Sequence, residues 1–302
     1  MTYFIKRFAL LLIALITLGC SKDDDGGNQN SPTPKLVRFS NDTENYQISY
    51  ENSGKPQAII NSNNAITPII FAEDKLTSFS NNSYTYDSNG RLETITNDEG
   101  SCTLIYNIQN QLTRQDIVIL HSLTGNPILT IQRNLIYNTE NQLTEVTETN
   151  SDNSNIEKYT LTYNNEGQVV RVVNSYTNGT NSSYIVRQDV DLIYHTSINP
   201  LYELYNQIGM NTNVTWVDLQ DLNPSYWVTI GISNYVYFRL YYINENNLSN
   251  IDITAYSNNS SETLTYSFNY LLESDYPIAA DMIRTYNNSS STYQFFWEYS
   301  NL

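Results

Sequence analysis

One unit recurs along most of this chain and constrains its fold more than any other feature. A tyrosine closes a stretch of alternating apolar and polar residues, a polar turn follows, and an aliphatic residue six positions after the tyrosine opens the next stretch. The clearest copy is YTYDSNGRLETI at 84–95. Beside it stand LTYNNEGQVVRV (161–172), LIYNTENQLTEV (135–146), LIYNIQNQLTRQ (104–115), LYYINENNLSNI (240–251) and ISYENSGKPQAI (48–59). The anchors are Tyr50, Tyr86, Tyr106, Tyr137, Tyr163 and Tyr242, with weaker echoes at Phe71, Tyr194, Tyr270 and Tyr299. Copies recur at roughly 20 to 30 residues, the length of a β-hairpin plus its return turn.

Gly or Asn stands four residues after most anchors. Hairpin turns need a residue at positive φ, which Gly supplies freely and Asn tolerates best among the rest. The chain has 42 Asn and only 11 Gly, so Asn is expected to carry many of these turns. Few helix formers and many Tyr, Thr, Ile and Val residues point to an all-β protein.

The strands entering the turns alternate cleanly. Leu264, Tyr266, Phe268 and Tyr270 share one face. Val186, Val190, Leu192 and Tyr194 oppose Arg187, Asp189 and Asp191. Tyr293, Phe295, Trp297 and Tyr299 oppose Thr292, Gln294 and Glu298, with Phe296 the exception. The anchor tyrosine therefore belongs to the buried face, and the other face is hydroxyl, amide and charge, unlike a lipid-embedded barrel. Strands leaving the turns break parity. Leu92 and Ile95, like Leu143 and Val146, lie three apart, which requires either a bulge or cover on both faces.

An antiparallel meander of about 20 short strands must close or split. The expected architecture is a rolled, barrel-like sheet filled by side chains, with a β-propeller as the alternative. Asn199-Pro200 followed by Leu201, Leu204, Tyr205, Ile208 and Gly209 reads as one short helix near 200–208, covering a sheet edge or plugging a barrel end.

Around Tyr86-Asp87 and Gly90-Arg91-Leu92 the unit resembles the YD repeats of Rhs-type proteins, which form antiparallel hairpin ribbons. Across 36–302 the pattern also resembles Bacteroidetes domains of unknown function with a porin-like β fold. That resemblance implies a fold and no activity.

The N-terminus carries its own message. Lys6 and Arg7 precede an 11-residue apolar stretch, Phe8 to Leu18. A membrane-spanning helix needs ~20 such residues, so residues 1–19 read as a signal peptide. Thr17-Leu18-Gly19-Cys20 resembles the lipobox of bacterial lipoproteins, with Thr17 where leucine is usual. The resemblance implies lipidation at Cys20 and anchoring to the outer membrane. Ser21-Lys22-Asp23-Asp24-Asp25 resembles the acidic export tag of surface lipoproteins in Bacteroidetes-type bacteria; alternatively, it keeps the tether solvated. The expected organisation is leader 1–19, lipidated cysteine and disordered tether 20–35, and a single all-β repeat domain at 36–302.

Net charge is −16, and loss of Lys6 and Arg7 with the leader makes it −18. Such a surface repels phosphate backbones, so nucleic acid is not an expected partner. No catalytic motif, glycine-rich phosphate loop or metal-ligand spacing appears, so neither catalytic residues nor cofactors are assigned. His121 and His195 read as surface histidines and Cys102 as a buried, inert thiol. Asp189 with Asp191, and Asp218 with Asp221, lack the ligand density of a calcium loop. Parity places Trp216 and Trp227 outward, with Asp218 between them. A flat apolar ring beside a carboxylate is chemistry that sugars use, although a neighbouring element could equally cover both rings. Three functions follow: a non-catalytic surface module binding a glycan or protein, an accessory envelope protein acting through protein contacts, and, on no motif, a hydrolase with a carboxylate pair.

Overall fold

The computed structural model describes residues 34–41, 45–79, 81–151, 155–178, 183–207, 245–257 and 260–301. They form eighteen strands and one helix. The strands are β1 (Lys35–Asn41), β2 (Asn45–Tyr50), β3 (Pro56–Asn61), β4 (Ile66–Ala72), β5 (Lys75–Phe79), β6 (Asn82–Tyr86), β7 (Leu92–Asn97), β8 (Gly100–Tyr106) and β9 (Leu112–Leu120). They continue as β10 (Pro127–Tyr137), β11 (Leu143–Asn150), β12 (Asn155–Tyr163), β13 (Val169–Asn178), β14 (Ile185–Ile198), β15 (Asn246–Ser257), β16 (Ser260–Glu273), β17 (Tyr276–Tyr286) and β18 (Ser289–Ser300). Helix α1 (Pro200–Gln207) follows β14.

Every strand pairs antiparallel with its neighbours in sequence, and β18 closes on β1 through Phe39 opposite Trp297. The ladder is therefore one continuous barrel. A propeller would interrupt it between blades, so that alternative is excluded.

Eighteen strands in a circular section would enclose an aqueous channel. Here the inward faces are packed instead. Val146, Leu248, Ile253 and Leu264 are 0 % exposed, within an apolar cluster to which nearly every strand contributes. The barrel is filled by its own side chains, as the periodicity requires. Its outer face carries Thr263, Thr265, Ser267, Asp252, Asp191 and Glu298, interspersed with exposed aliphatic residues such as Ile70, Ile136 and Ile193.

A bulge in each unit resolves the broken parity of the outgoing strands. The register steps from Ile136↔Glu145 to Tyr137↔Leu143, passing over Thr144, and from Ile105↔Arg114 to Tyr106↔Leu112, passing over Thr113. The bypassed hydroxyl is used. Thr77, Thr113, Thr144 and Ser249 donate to the carbonyls of Ile70, Ile105, Ile136 and Ile193 at 3.1–3.2 Å. Leu143 and Val146, three apart, are thus both buried.

Two expected core residues lie outside the core. Val186 is exposed because a second bulge at Arg187, between Asn174↔Gln188 and Ser175↔Val186, flips its face. Tyr293 is exposed because the strands differ in length. β1–β8 have five to seven residues and β9–β18 eight to fourteen, so the tall side overhangs. In the overhang Ser260–Thr263 and Ser289–Gln294 are exposed on both faces.

Candidate functional site

All even-numbered strands run the same way, so their last residues collect at one rim of the barrel. There the anchors act as staples. At this rim each odd strand and the even strand after it diverge beyond the end of their ladder, and the anchor hydroxyl spans the gap. Tyr50 donates to the carbonyl of Leu36 at 2.6 Å, Tyr86 to Leu76 at 2.8 Å and Tyr106 to Leu92 at 2.9 Å. Tyr137 donates to Leu112 at 2.9 Å, Tyr163 to Leu143 at 2.8 Å and Tyr194 to Val169 at 2.9 Å. Tyr270 and Tyr299 do the same to Leu248 and Pro277, at 2.7 and 2.9 Å. The weak echoes at 194, 270 and 299 are therefore full members, while Tyr242 lies outside the described residues. Each ring rests half-buried on the core and its hydroxyl is used at the edge.

The turns between anchors are built from one side chain. Asp87 Oδ1 accepts from the N–H groups of Asn89 and Arg91, and Asn107, Asn138 and Asn164 repeat this at the same offsets. The carboxamide oxygen thus replaces the aspartate oxygen without loss. Gly54, Gly90, Asn110, Asn141 and Gly167 occupy the positive-φ position, as expected. The residue before each opening aliphatic joins turn to turn. Arg91 donates to Asn110 Oδ1 at 3.0 Å and Gln111 to Asn141 Oδ1 at 2.5 Å.

That same position places a cation over the next anchor ring: Lys35 over Tyr50, Lys75 over Tyr86 and Arg91 over Tyr106, at 5.7, 5.2 and 4.7 Å. One gap differs from the other eight. Between β3 and β4 the anchor is Phe71, which has no hydroxyl. The β3–β4 ladder covers only Ala58–Ile60 against Ile66–Pro68, and no staple closes what lies beyond. Lys55 sits 3.8 Å from the Phe71 ring centroid and 2.8 Å from Asp74 Oδ1. An open groove of about 950 Å³ lies here, with Pro56, Ile69 and Phe71 among its apolar walls and Glu51, Glu73 and Asp74 among its polar ones.

Helix α1 lies at this rim. Asn199 caps it, its Oδ1 accepting from the Tyr202 N–H at 3.4 Å, and Leu204 is buried in the core. Glu203 accepts from the Tyr276 hydroxyl at 3.4 Å, and Gln207 lines the groove. The helix thus plugs part of the barrel end, one of its two expected roles.

A second feature lies inside the barrel. Gln115, Arg133, Glu148 and Glu157 face one another in register across β9–β12, all on the inward face. Arg133 Nε lies 2.6 Å from Glu148 Oε2, and Arg187 Nη1 lies 2.7 Å from Glu157 Oε1. Burial raises the pKa of Glu157 above the usual carboxylate range, with Arg187 pulling the other way. Glu148 and Glu157 are a cross-strand carboxylate pair, the arrangement a hydrolase would need. Each is held by an arginine, however, and neither lines the groove. Sequence reading missed this row, although Arg133, Glu148 and Glu157 all share inward parity with core residues of their own strands.

Trp216, Asp218, Asp221 and Trp227 lie outside the described residues, as does Cys20. Cys102 is 0 % exposed, and burial pushes its thiol up to about 12. Asp189 and Asp191 flank Arg171, the first accepting from its Nε at 2.8 Å, so the guanidinium occupies the place a cation would take. His121 is exposed in a turn, whereas His195 is half-buried, bonded to Ser197 and packed on Tyr270.

No protein-family model and no curated sequence matches the chain. Among solved structures, a porin-like protein from Bacteroides vulgatus is similar at 12 % identity and a TM-score of 0.43, over 89 % of this chain and 100 % of that one. A porin-like protein from Bacteroides uniformis is similar at 14 % and 0.42, over 89 % and 98 %. The toxin chain TcdB2-TccC3 aligns at 10 % and 0.25, over 86 % of this chain but 16 % of its own length. These scores are too low for the likeness to bear on function.

Proposed function

We propose that this chain is an exported, lipid-anchored envelope protein that works by binding at its surface rather than by catalysis or transport. The observation that carries this reading is the filled interior. Among the described residues, core side chains at 0 % exposure fill the inside of the barrel, and the interior carboxylates are paired with Arg133 and Arg187. Anchoring rests on the Cys20 lipobox. Metabolic labelling with a fatty acid tests it, with the label lost in Cys20→Ser. For a glycan ligand, Trp216 and Trp227 with Asp218 are the proposed contacts. Titrating purified protein with polysaccharides while following tryptophan fluorescence tests them: a saturable change supports the reading, and its absence for every glycan removes the sugar version. A stoichiometric membrane partner on purification would favour the accessory role instead.

A further inference from the structure

We propose that the unstapled gap between β3 and β4 is a docking groove for an extended polypeptide strand bearing basic side chains. The proposal deepens the reading of the chain as a binding module by naming a site and a partner class. At eight of nine equivalent positions a tyrosine hydroxyl bridges the diverging strands. At the ninth, Phe71 leaves the carbonyl of Pro56 without that donor, and the groove opens at this place. Its sides are two strand edges, Pro56–Gln57 and Ile69–Phe71, which run beyond the end of their shared ladder. Edges of this kind are templates for a third strand. Pro56, at the mouth of the gap, has no N–H to donate across it.

Side-chain chemistry selects the partner. An extended chain presents alternate residues to opposite faces. Ile70, which is 49 % exposed, offers apolar surface to one set. Glu51, Glu73 and Asp74 in the same groove offer carboxylates to the other, and the Lys55 ammonium beside them is already paired with Asp74. A strand alternating apolar and basic residues satisfies both, and an acidic protein would attract it at long range. A glycan is the weaker occupant, because the Lys55 ammonium covers the Phe71 face that a sugar ring would need.

The probe is a fluorescein-labelled, end-capped peptide of three Val-Lys repeats, followed by anisotropy with the full chain. Wild type is expected to bind saturably, and Phe71→Tyr, which installs the missing staple, to bind at least about tenfold more weakly. Glu73→Lys, a surface change independent of the core, should weaken binding similarly. Equal affinity in wild type and both variants overturns the proposal. So does the absence of binding to wild type up to about 1 mM, or displacement of the peptide by a neutral oligosaccharide. Among the described residues the groove lining contains no tryptophan, so this test and the tryptophan-fluorescence titration can fail separately.

Discussion

The hydroxyl of Tyr163, the last residue of β12, lies 2.8 Å from the carbonyl of Leu143, the first residue of β11. The β11–β12 ladder ends at Glu145↔Thr160, so this one bond closes the mouth of the hairpin after the main-chain bonds have stopped. The bulge at Thr144 makes the closure possible. It turns Leu143 inward beside Val146 and aims the Leu143 carbonyl at the ring edge.

Tyr163→Phe keeps the ring and its burial and removes only the staple. Urea unfolding should show a loss of about 0.5–1.5 kcal/mol, the net worth of one intramolecular hydrogen bond. Tyr163→Ala should cost several times more, because the ring also covers the core. Equal losses in the two variants would mean that the hydroxyl contributes nothing.

Glu157 gives a prediction with a sign. Its folded pKa is raised, chiefly by burial, so the folded state binds this proton more readily than the unfolded state. Stability from this group is fully present below the unfolded carboxylate pKa and is lost as pH rises through the folded pKa. Glu157→Gln, which mimics the neutral form, should therefore stabilise the protein at pH near 7. The gain should shrink as pH is lowered through the acid range. Urea unfolding of both proteins across that range checks it; a gain that grows toward acid pH would contradict the assignment.

The thiol of Cys102 is sealed in the core and held almost wholly protonated. Native protein treated with iodoacetamide at mildly alkaline pH should leave Cys102 unmodified on peptide mapping, and denaturant should expose it fully. Rapid labelling without denaturant would indicate local opening around β8.

Much of this was legible in particular residues. The tyrosine spacing gave the strand ends, and Gly or Asn four positions later gave the positive-φ turns. Asn107, Asn138 and Asn164 in place of Asp87 look like decay of the motif in one dimension, yet they make the same turn bonds in three. The staple itself was hidden. Nothing at Tyr163 indicates that its partner is a main-chain carbonyl 20 residues earlier. Val186 was misplaced because the bulge at Arg187 leaves no mark in composition.

The sequence alone determined the local rules: where strands end, how they turn, and that the tyrosine side of each strand is buried. Those are set by backbone sterics and by alternation within a few residues. Only the tertiary structure decided that β18 closes on β1, that Arg133, Glu148 and Glu157 form one buried row, and that Phe71 leaves one gap of nine unstapled. The reason is physical. Closure depends on twist and register accumulated over eighteen strands, and the charge row depends on which side chains that register brings opposite one another. A missing hydroxyl at Phe71 becomes a groove only because every other gap around the rim has a hydroxyl in that place.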